Sequence, residues 1–514
     1  LGGTGSNVYN ARLAEALVAL GHEVHLLSQD RHPREHRFVD AIGDWDSGKL
    51  GVRPAHTDGR PVRCTVYRPD IGGLLPVYVA DRYEGIEAKT FAELSEQELE
   101  RYLDANVRAV RELRSLVRPQ VALANHLVMG PVILARGLEG EVPYAVKIHG
   151  SALEYTVKPE PGRFLGLARE GIAGARGVLV GSRHTAESLW EALGENGLEQ
   201  RTRLGPPGVD VSRFHPREPG DAAAGLRALA ARLRASPAPR ADAGDSAFAR
   251  DERAAGEALA RVDPGSEAPV VFVGKLIVSK GVDLLLAAWP LVTEQLPRTR
   301  LVIVGFGAFR EGLERLIAAL AAGDLEQARE LGLAGRALEG DGGRPQPLRH
   351  LLAFLDSLDG EERERYLRAA RGLADQVVLT GRLEHEELAE LLPACEALVV
   401  PSTFPEAFGM VAAEAAACGV LPVSAAHSGL AEVSDALARA VPEQVARWLS
   451  FPVDDDAVRA LAARLCGWLQ ADPALRSATR EGLVATARER WSWQGVARGV
   501  IAAARGELEA LQRP

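Results

Sequence analysis

"ALVVPSTFPEAFGMVAAEAAACG", Ala397 to Gly419, is the stretch on which the fold turns. Its opening Ala/Leu/Val run is short, continuous and free of polar residues, the pattern of a strand buried on both faces of a parallel sheet. A loop follows, punctuated by Pro401 and Pro405. The pattern then predicts a helix that opens near Phe408–Gly409 and stops at Gly419. Strand, loop and helix in that order form one unit of a doubly wound α/β sheet, whose ligands bind outside the carboxyl ends of the strands. Two carboxylates bracket the helix start. Glu406 stands in the loop, and Glu414 lies roughly 7 Å along the axis at about 1.5 Å per residue. The free N–H groups between them are an anion site, and Gly409 lets a ligand approach the backbone. Glu414 is flanked by Ala412, Ala413, Ala415, Ala416 and Ala417, so burial is expected. A buried carboxylate needs partners to offset its desolvation, and vicinal hydroxyls would serve. These residues alone leave a plainer alternative open, in which Glu414 faces solvent and Glu406 merely favours the helix dipole.

The same rhythm recurs outward from this stretch. "VVFVGK" (270–275), "RLVIVGFG" (300–307), "QVVLTGR" (376–382) and "GVLPVSA" (419–425) are strand-like and alternate with helical segments. In the first half, "HEVHLLS" (22–28), "VALAN" (121–125), "YAVKIHG" (144–150) and "GVLVGS" (177–182) do the same. The opening "LGGTGSN" is a glycine loop leading into a helix, with Ser6 as its expected N-cap. Such a loop follows a strand, so a first strand is expected ahead of Leu1 that this chain lacks. The Pro/Gly-rich "TRLGPPGVDVSRFHP" (202–216) is the natural boundary. The expected organisation is therefore a Rossmann-like domain over 1–206, a second over 207–490, and a C-terminal helix over 491–514 that packs back on the first. The two domains are expected to face each other across a deep cleft. Stretches at about 217–268 and 317–375 read as insertions, the first partly helical and partly mobile.

Composition narrows the function. The chain has 514 residues, 46% of them hydrophobic, ample for more than one core. A formal net charge of -10 argues against a nucleic-acid binder, which needs a basic face to release counterions. The longest apolar run, "VALANHLVMGPVILA", is interrupted by Asn125 and His126 and is too short to span a bilayer. With no secretory signal visible, a cytoplasmic location is expected. The four cysteines are scattered, with neither metal-ligand spacing nor a disulfide framework. Only six lysines occur among 60 basic residues, and two of them, Lys275 and Lys280, share "GKLIVSKG" at a strand's carboxyl end. A solvated loop would explain an ordinary lysine pair; scarcity and position favour a grip on a diphosphate. On the helix before Val121, Arg108, Arg111, Arg114 and Arg118 suit a solvated face, the alternative being an anionic acceptor or weak peripheral membrane contact.

The assembled order is the glycine loop, "KIHG", "GPPGVDVSRFHP", "GKLIVSKG", "VGFG", "LTGRLEHEELAELLPACEALVVPS" and "PEAFGMVAAEAAACGVLPVSA". It resembles the family 4 retaining glycosyltransferases of the GT-B fold, over most of the chain outside the two insertions. The resemblance implies that Glu406 meets hydroxyls of the donor sugar and that Glu414 holds the nucleotide ribose. The Phe408, Gly409 and Met410 amides face the sugar and diphosphate. Lys275 and Lys280 grip the diphosphate, with Lys275 in place of the usual arginine, which keeps the charge but loses the bidentate fork. His149 stands beside the reacting sugar carbon, and Gly2 and Gly3 match the loop that closes over donor phosphates and acceptor. No metal and no separate cofactor are implied. The donor is a nucleotide sugar such as a UDP-, GDP- or ADP-hexose, and the acceptor a sugar, polyol or lipid-linked group. Asn125, His126, Tyr155 and Lys158 are acceptor-side candidates. Competing expectations are a GT-B sugar-nucleotide epimerase and a non-catalytic sugar-nucleotide binder. A nicotinamide dehydrogenase fits least, because "GGTGSN" lacks the spaced three-glycine fingerprint.

Overall fold

The Val/Leu runs of the second half pair into one six-stranded sheet, and every pairing is parallel. Its strands are Ala268–Val273, Thr299–Val304, Val377–Gly381, Ala397–Val400, Leu421–Ala425 and Ser450–Phe451. Across the sheet they lie third, second, first, fourth, fifth, sixth in chain order. The order therefore reverses between Ala268–Val273 and Ala397–Val400, and doubly wound sheets bind their ligands at such a reversal. Val270, Val271, Leu301, Val302, Ile303, Leu398 and Val399 are all fully buried, which is why these strands lack polar alternation. The computed structural model describes every residue except 1–4, 47, 57–58, 60, 79–87, 237–249 and 341–345.

This sheet belongs to a unit spanning Val209–Arg490. Both stretches read as insertions contribute helices to it. In 217–268, Pro219–Arg234 and Glu252–Leu259 pack on each other, and the second covers the edge strand Val377–Gly381. A covered edge cannot template pairing with another chain. Residues 237–249 of that stretch lie outside the described residues, so the expected mobility there is left without a structural reading. In 317–375, Gly360–Ala370 packs on Val282–Gln295, where the buried Tyr366 hydroxyl donates to the Ala287 carbonyl at 3.1 Å.

The other unit comprises Leu1–Gly208 and Trp491–Pro514. One four-stranded parallel sheet runs Thr202–Leu204, Gly177–Val180, Tyr144–Lys147, Ala122–Asn125 across its width. A second runs Val24–Leu27, Cys64–Arg68, Ala41–Asp46, Lys49–Pro54, the last two as an antiparallel hairpin. The helix Gly5–Ala19 already includes Gly5, so Ser6 lies inside its first turn and not at the cap. The C-terminal helix Trp493–Arg505 opens on Ser492, whose hydroxyl accepts from the Gly495 amide at 3.3 Å. Its apolar face, Trp493, Val496, Ala497, Val500, Ala503 and Ala504, shares a core with Tyr9, Leu13, Ala145 and Leu179.

Candidate active site

At the strand-order reversal, two loops meet. One follows Ala268–Val273 and carries Lys275 and Lys280; the other follows Ala397–Val400 and carries Glu406. The Thr403 amide donates to the Ser279 carbonyl at 2.9 Å, tying the loops together. Gly281, at φ 66°, permits the approach, because a Cβ there would fall on the Pro401 carbonyl oxygen. Gly307 of "VGFG" does the same against the Leu276 carbonyl.

Lys280 Nζ consequently forms an ion pair with Glu406 Oε1, and the Ser402 hydroxyl donates to the same oxygen at 2.6 Å. The Glu406 backbone is fixed from both sides. Its amide donates to Ser428 Oγ at 2.9 Å, and its carbonyl accepts from the Gly429 amide at 2.9 Å. His427 completes the frame, with Nε2 donating to the Ser402 carbonyl at 2.8 Å while the Ser428 hydroxyl donates to Nδ1 at 3.1 Å. The helix Met410–Ala417 begins just beyond. Its N-cap is Gly409, which has no side chain to satisfy the first-turn amides, so they remain available to an anion.

The structure brings Lys280 and Glu406 together but not Lys275. That side chain is exposed and has no hydrogen-bond or ion-pair partner among the described residues. It follows the strand by two residues, which leaves its stem outside the packed loop–loop contact. Glu414 is buried, as its alanine neighbours suggest, with its side chain 4% exposed. It is not left for a ligand alone, because His385 Nε2 lies 2.7 Å from Oε1. Gly2 and Gly3 lie outside the described residues. Sequence reasoning missed Ser402, His385, His427 and Ser428. It also missed Glu339, which reaches from the 317–375 stretch to accept the Val278 amide of the lysine loop at 2.5 Å.

The first unit holds a second cluster at the carboxyl ends of its parallel strands. His149 Nε2 donates to Asn125 Oδ1 at 2.8 Å, so its Nδ1 carries the lone pair. The His126 ring lies 4.9 Å and the Tyr9 ring 5.0 Å from the His149 ring, centre to centre. Burial holds the His149 imidazole well below its ordinary value and pushes His126 down to about 4, so both are neutral near pH 7. Two residues before His149, Lys147 is fully buried, and desolvation lowers its ammonium to about 7. Its Nζ donates to the Gly205 carbonyl at 2.5 Å and lies 5.7 Å from the centre of the Tyr9 ring. The lysine scarcity that singled out Lys275 and Lys280 applied equally to Lys147. Of the acceptor-side candidates, Tyr155 is exposed on a π-helical turn, Leu153–Val157. Lys158 is neutralised by Glu154 at 3.0 Å and donates to Ser188 Oγ at 2.7 Å. Arg111 and Arg114 both pair with Glu139 at 3.0 Å, which suits a solvated face.

Comparison with known proteins decides the lineage. The family model for glycosyl transferases group 1 matches residues 261–325 and 349–463, and that for the glycosyl transferase 4-like domain matches residues 4–208. The chain belongs to the group 1 glycosyltransferases. The gap in the first match falls inside the 317–375 stretch. A D-inositol 3-phosphate glycosyltransferase of Segniliparus rotundus is 31% identical over 60% of this chain and 48% of that relative. One of Frankia alni is 26% identical over 83% and 78%. The match to the Segniliparus protein and to its Xylanimonas cellulosilytica counterpart spans about half of each relative's length, 48% and 49%. Among solved structures, sucrose-phosphate synthase of Thermosynechococcus elongatus superimposes with a TM-score of 0.54 at 20% identity, over 99% of this chain and 94% of that one. Anabaena HepE in complex with UDP gives 0.51 at 14% identity, over 95% and 100%. At these identities the likeness shows the fold, two Rossmann-like units of the GT-B class. No described helix of this glycosyltransferase family member is long and apolar enough to cross a membrane.

Proposed function

We propose that the chain is a retaining glycosyltransferase that moves a hexosyl group from a nucleoside diphosphate sugar to a hydroxyl acceptor. The observation that carries this is the Lys280–Glu406 pair beside an uncapped helix N-terminus at the strand-order reversal. Cation, carboxylate and helix amides are the groups that a diphosphate and its sugar would need. Glu406 receives sugar hydroxyls, the Phe408–Met410 amides receive the sugar–diphosphate junction, and Glu414 receives the ribose. Lys280 exchanges its carboxylate partner for the diphosphate, and the exposed Lys275 adds a second cation on arrival.

In the reaction, the bond from the anomeric carbon to the β-phosphate oxygen breaks and negative charge develops on the leaving group. Lys280, Lys275 and the helix amides stabilise that charge without a metal, an electrostatic contribution typical of preorganised sites. The acceptor oxygen attacks the same face, and its proton passes to the leaving phosphate oxygen, so configuration is retained. His149, in the first unit, is held neutral and anchored on Asn125. The acceptor class is a sugar, polyol or lipid-linked group. The relatives named for D-inositol 3-phosphate make a polyol phosphate the first to try.

Thermal-shift titration with UDP-, GDP- and ADP-hexoses identifies the donor. A ligand at about a hundredfold its dissociation constant raises the unfolding midpoint of a unit this size by roughly 5 °C or more. One of the three is expected to do so, and flat curves with all three would argue against a nucleotide-sugar site.

A further inference from the structure

Glu414 is the most deeply buried of the proposed donor contacts, and its desolvation sets a condition that few groups meet. An ionised carboxylate taken out of water costs several kcal/mol unless donors replace the lost solvent. Among the described residues one side chain does so, His385, whose Nε2 lies 2.7 Å from Oε1. An ionised carboxylate only accepts, so Nε2 carries the proton.

His385 comes from outside the Glu406–Glu414 segment and is held firmly in place. It is the first residue of the helix His385–Leu391, whose start is fixed by a capping box between Glu384 and Glu387. Arg250 clamps that box, with Nη2 2.8 Å from Glu387 Oε1. The imidazole packs against Phe214, with ring centres 4.8 Å apart at 58°. Helix start, aromatic wall and carboxylate therefore fix the ring, and the ring in turn fixes one oxygen of Glu414. The second oxygen has no donor among the described residues and keeps its acceptor capacity for a ligand.

We infer that His385 is a positioning residue that aims Glu414 at a ribose diol and makes the site selective for ribonucleoside over 2′-deoxyribonucleoside diphosphates. The inference rests on the ribose role proposed above for Glu414. A site built around a ligand hydroxyl rejects the analogue that lacks it, because the site's own polar group is then left unpaired. Without His385 the carboxylate loses its fixed rotamer, and the discrimination goes with it.

The test is calorimetric titration of UDP, GDP, ADP and their 2′-deoxy counterparts into the full chain and into His385→Phe and His385→Gln. The wild-type chain is expected to bind its preferred ribonucleotide about tenfold or more tighter than the deoxy form, the worth of a hydrogen bond to a charged group. His385→Phe is expected to weaken ribonucleotide binding by about tenfold and to leave the deoxy form within about twofold, so that the preference collapses. His385→Gln, which keeps an N–H donor, retains most of the preference. Equal losses for both nucleotides would assign His385 a merely structural part and overturn the inference. An unchanged preference in His385→Phe would overturn it too. A wild-type chain indifferent to the 2′-hydroxyl would remove the ribose role of Glu414 itself, a separate failure that takes this inference with it.

Discussion

Replacing Glu406 or Lys280 with alanine is expected to cut sugar transfer by about 100- to 1,000-fold or more while leaving the fold in place. The two magnitudes separate because the pair sits at a partly open loop junction, with side chains 22% and 29% exposed. A partly exposed ion pair contributes about 0–1 kcal/mol to stability. A preorganised charge facing a developing anion contributes about 3–4 kcal/mol to the transition state. Thermal unfolding should therefore move by no more than about 3 °C, while nucleoside diphosphate release in a steady-state assay falls to near background. Near-normal turnover in either variant would remove the pair from the chemistry.

Gly281→Ala is expected to have the largest effect of any change that touches no reacting group. The residue follows Lys280 directly, holds φ at 66° and caps the helix Val282–Gln295. A left-handed alanine costs about 1–2 kcal/mol by itself. The new Cβ would also fall on the Pro401 carbonyl, so the lysine loop and the glutamate loop must separate. Transfer is expected to drop by about 100-fold, as a misplacement near 1 Å does in a positioned site. Gly323→Ala is the control. It shares the backbone conformation, at φ 74°, but its Cβ would meet nothing closer than Leu367 Cδ2 at 3.7 Å. That variant should lose comparable backbone stability and keep its activity. Equal activity in the two variants would show that the loop–loop contact does not set the position of Lys280.

The parallel strands were readable because burial on both faces leaves uninterrupted Val/Leu runs, as in Ala397–Val400 and Thr299–Val304. The hairpin Ala41–Asp46 with Lys49–Pro54 was not readable. Its outer strand is largely exposed, and "AIGDWD" and "KLGVRP" carry neither a continuous apolar run nor clean alternation. Within the site, Glu406 and Glu414 could be found because their spacing along one loop and helix is local information. Their pairings could not, since Lys280 lies 126 residues from Glu406 and His385 lies 29 from Glu414, separations that folding alone closes. Lysine scarcity pointed to a pair at residues 275 and 280, but the packed loop contact takes up Lys280 and leaves Lys275 in solvent. The same scarcity pointed to Lys147, and a pattern of exposed cations gave no reason to expect one buried two residues before His149.

The account is tested most directly by the anomeric configuration of the product, read by proton NMR during turnover with the donor that stabilises the chain and a polyol phosphate or sugar acceptor. It predicts a glycoside of the same anomeric configuration as the donor, formed only when acceptor is present and with one nucleoside diphosphate released per glycoside. An inverted glycoside, or free or epimerised sugar released without acceptor, would contradict it.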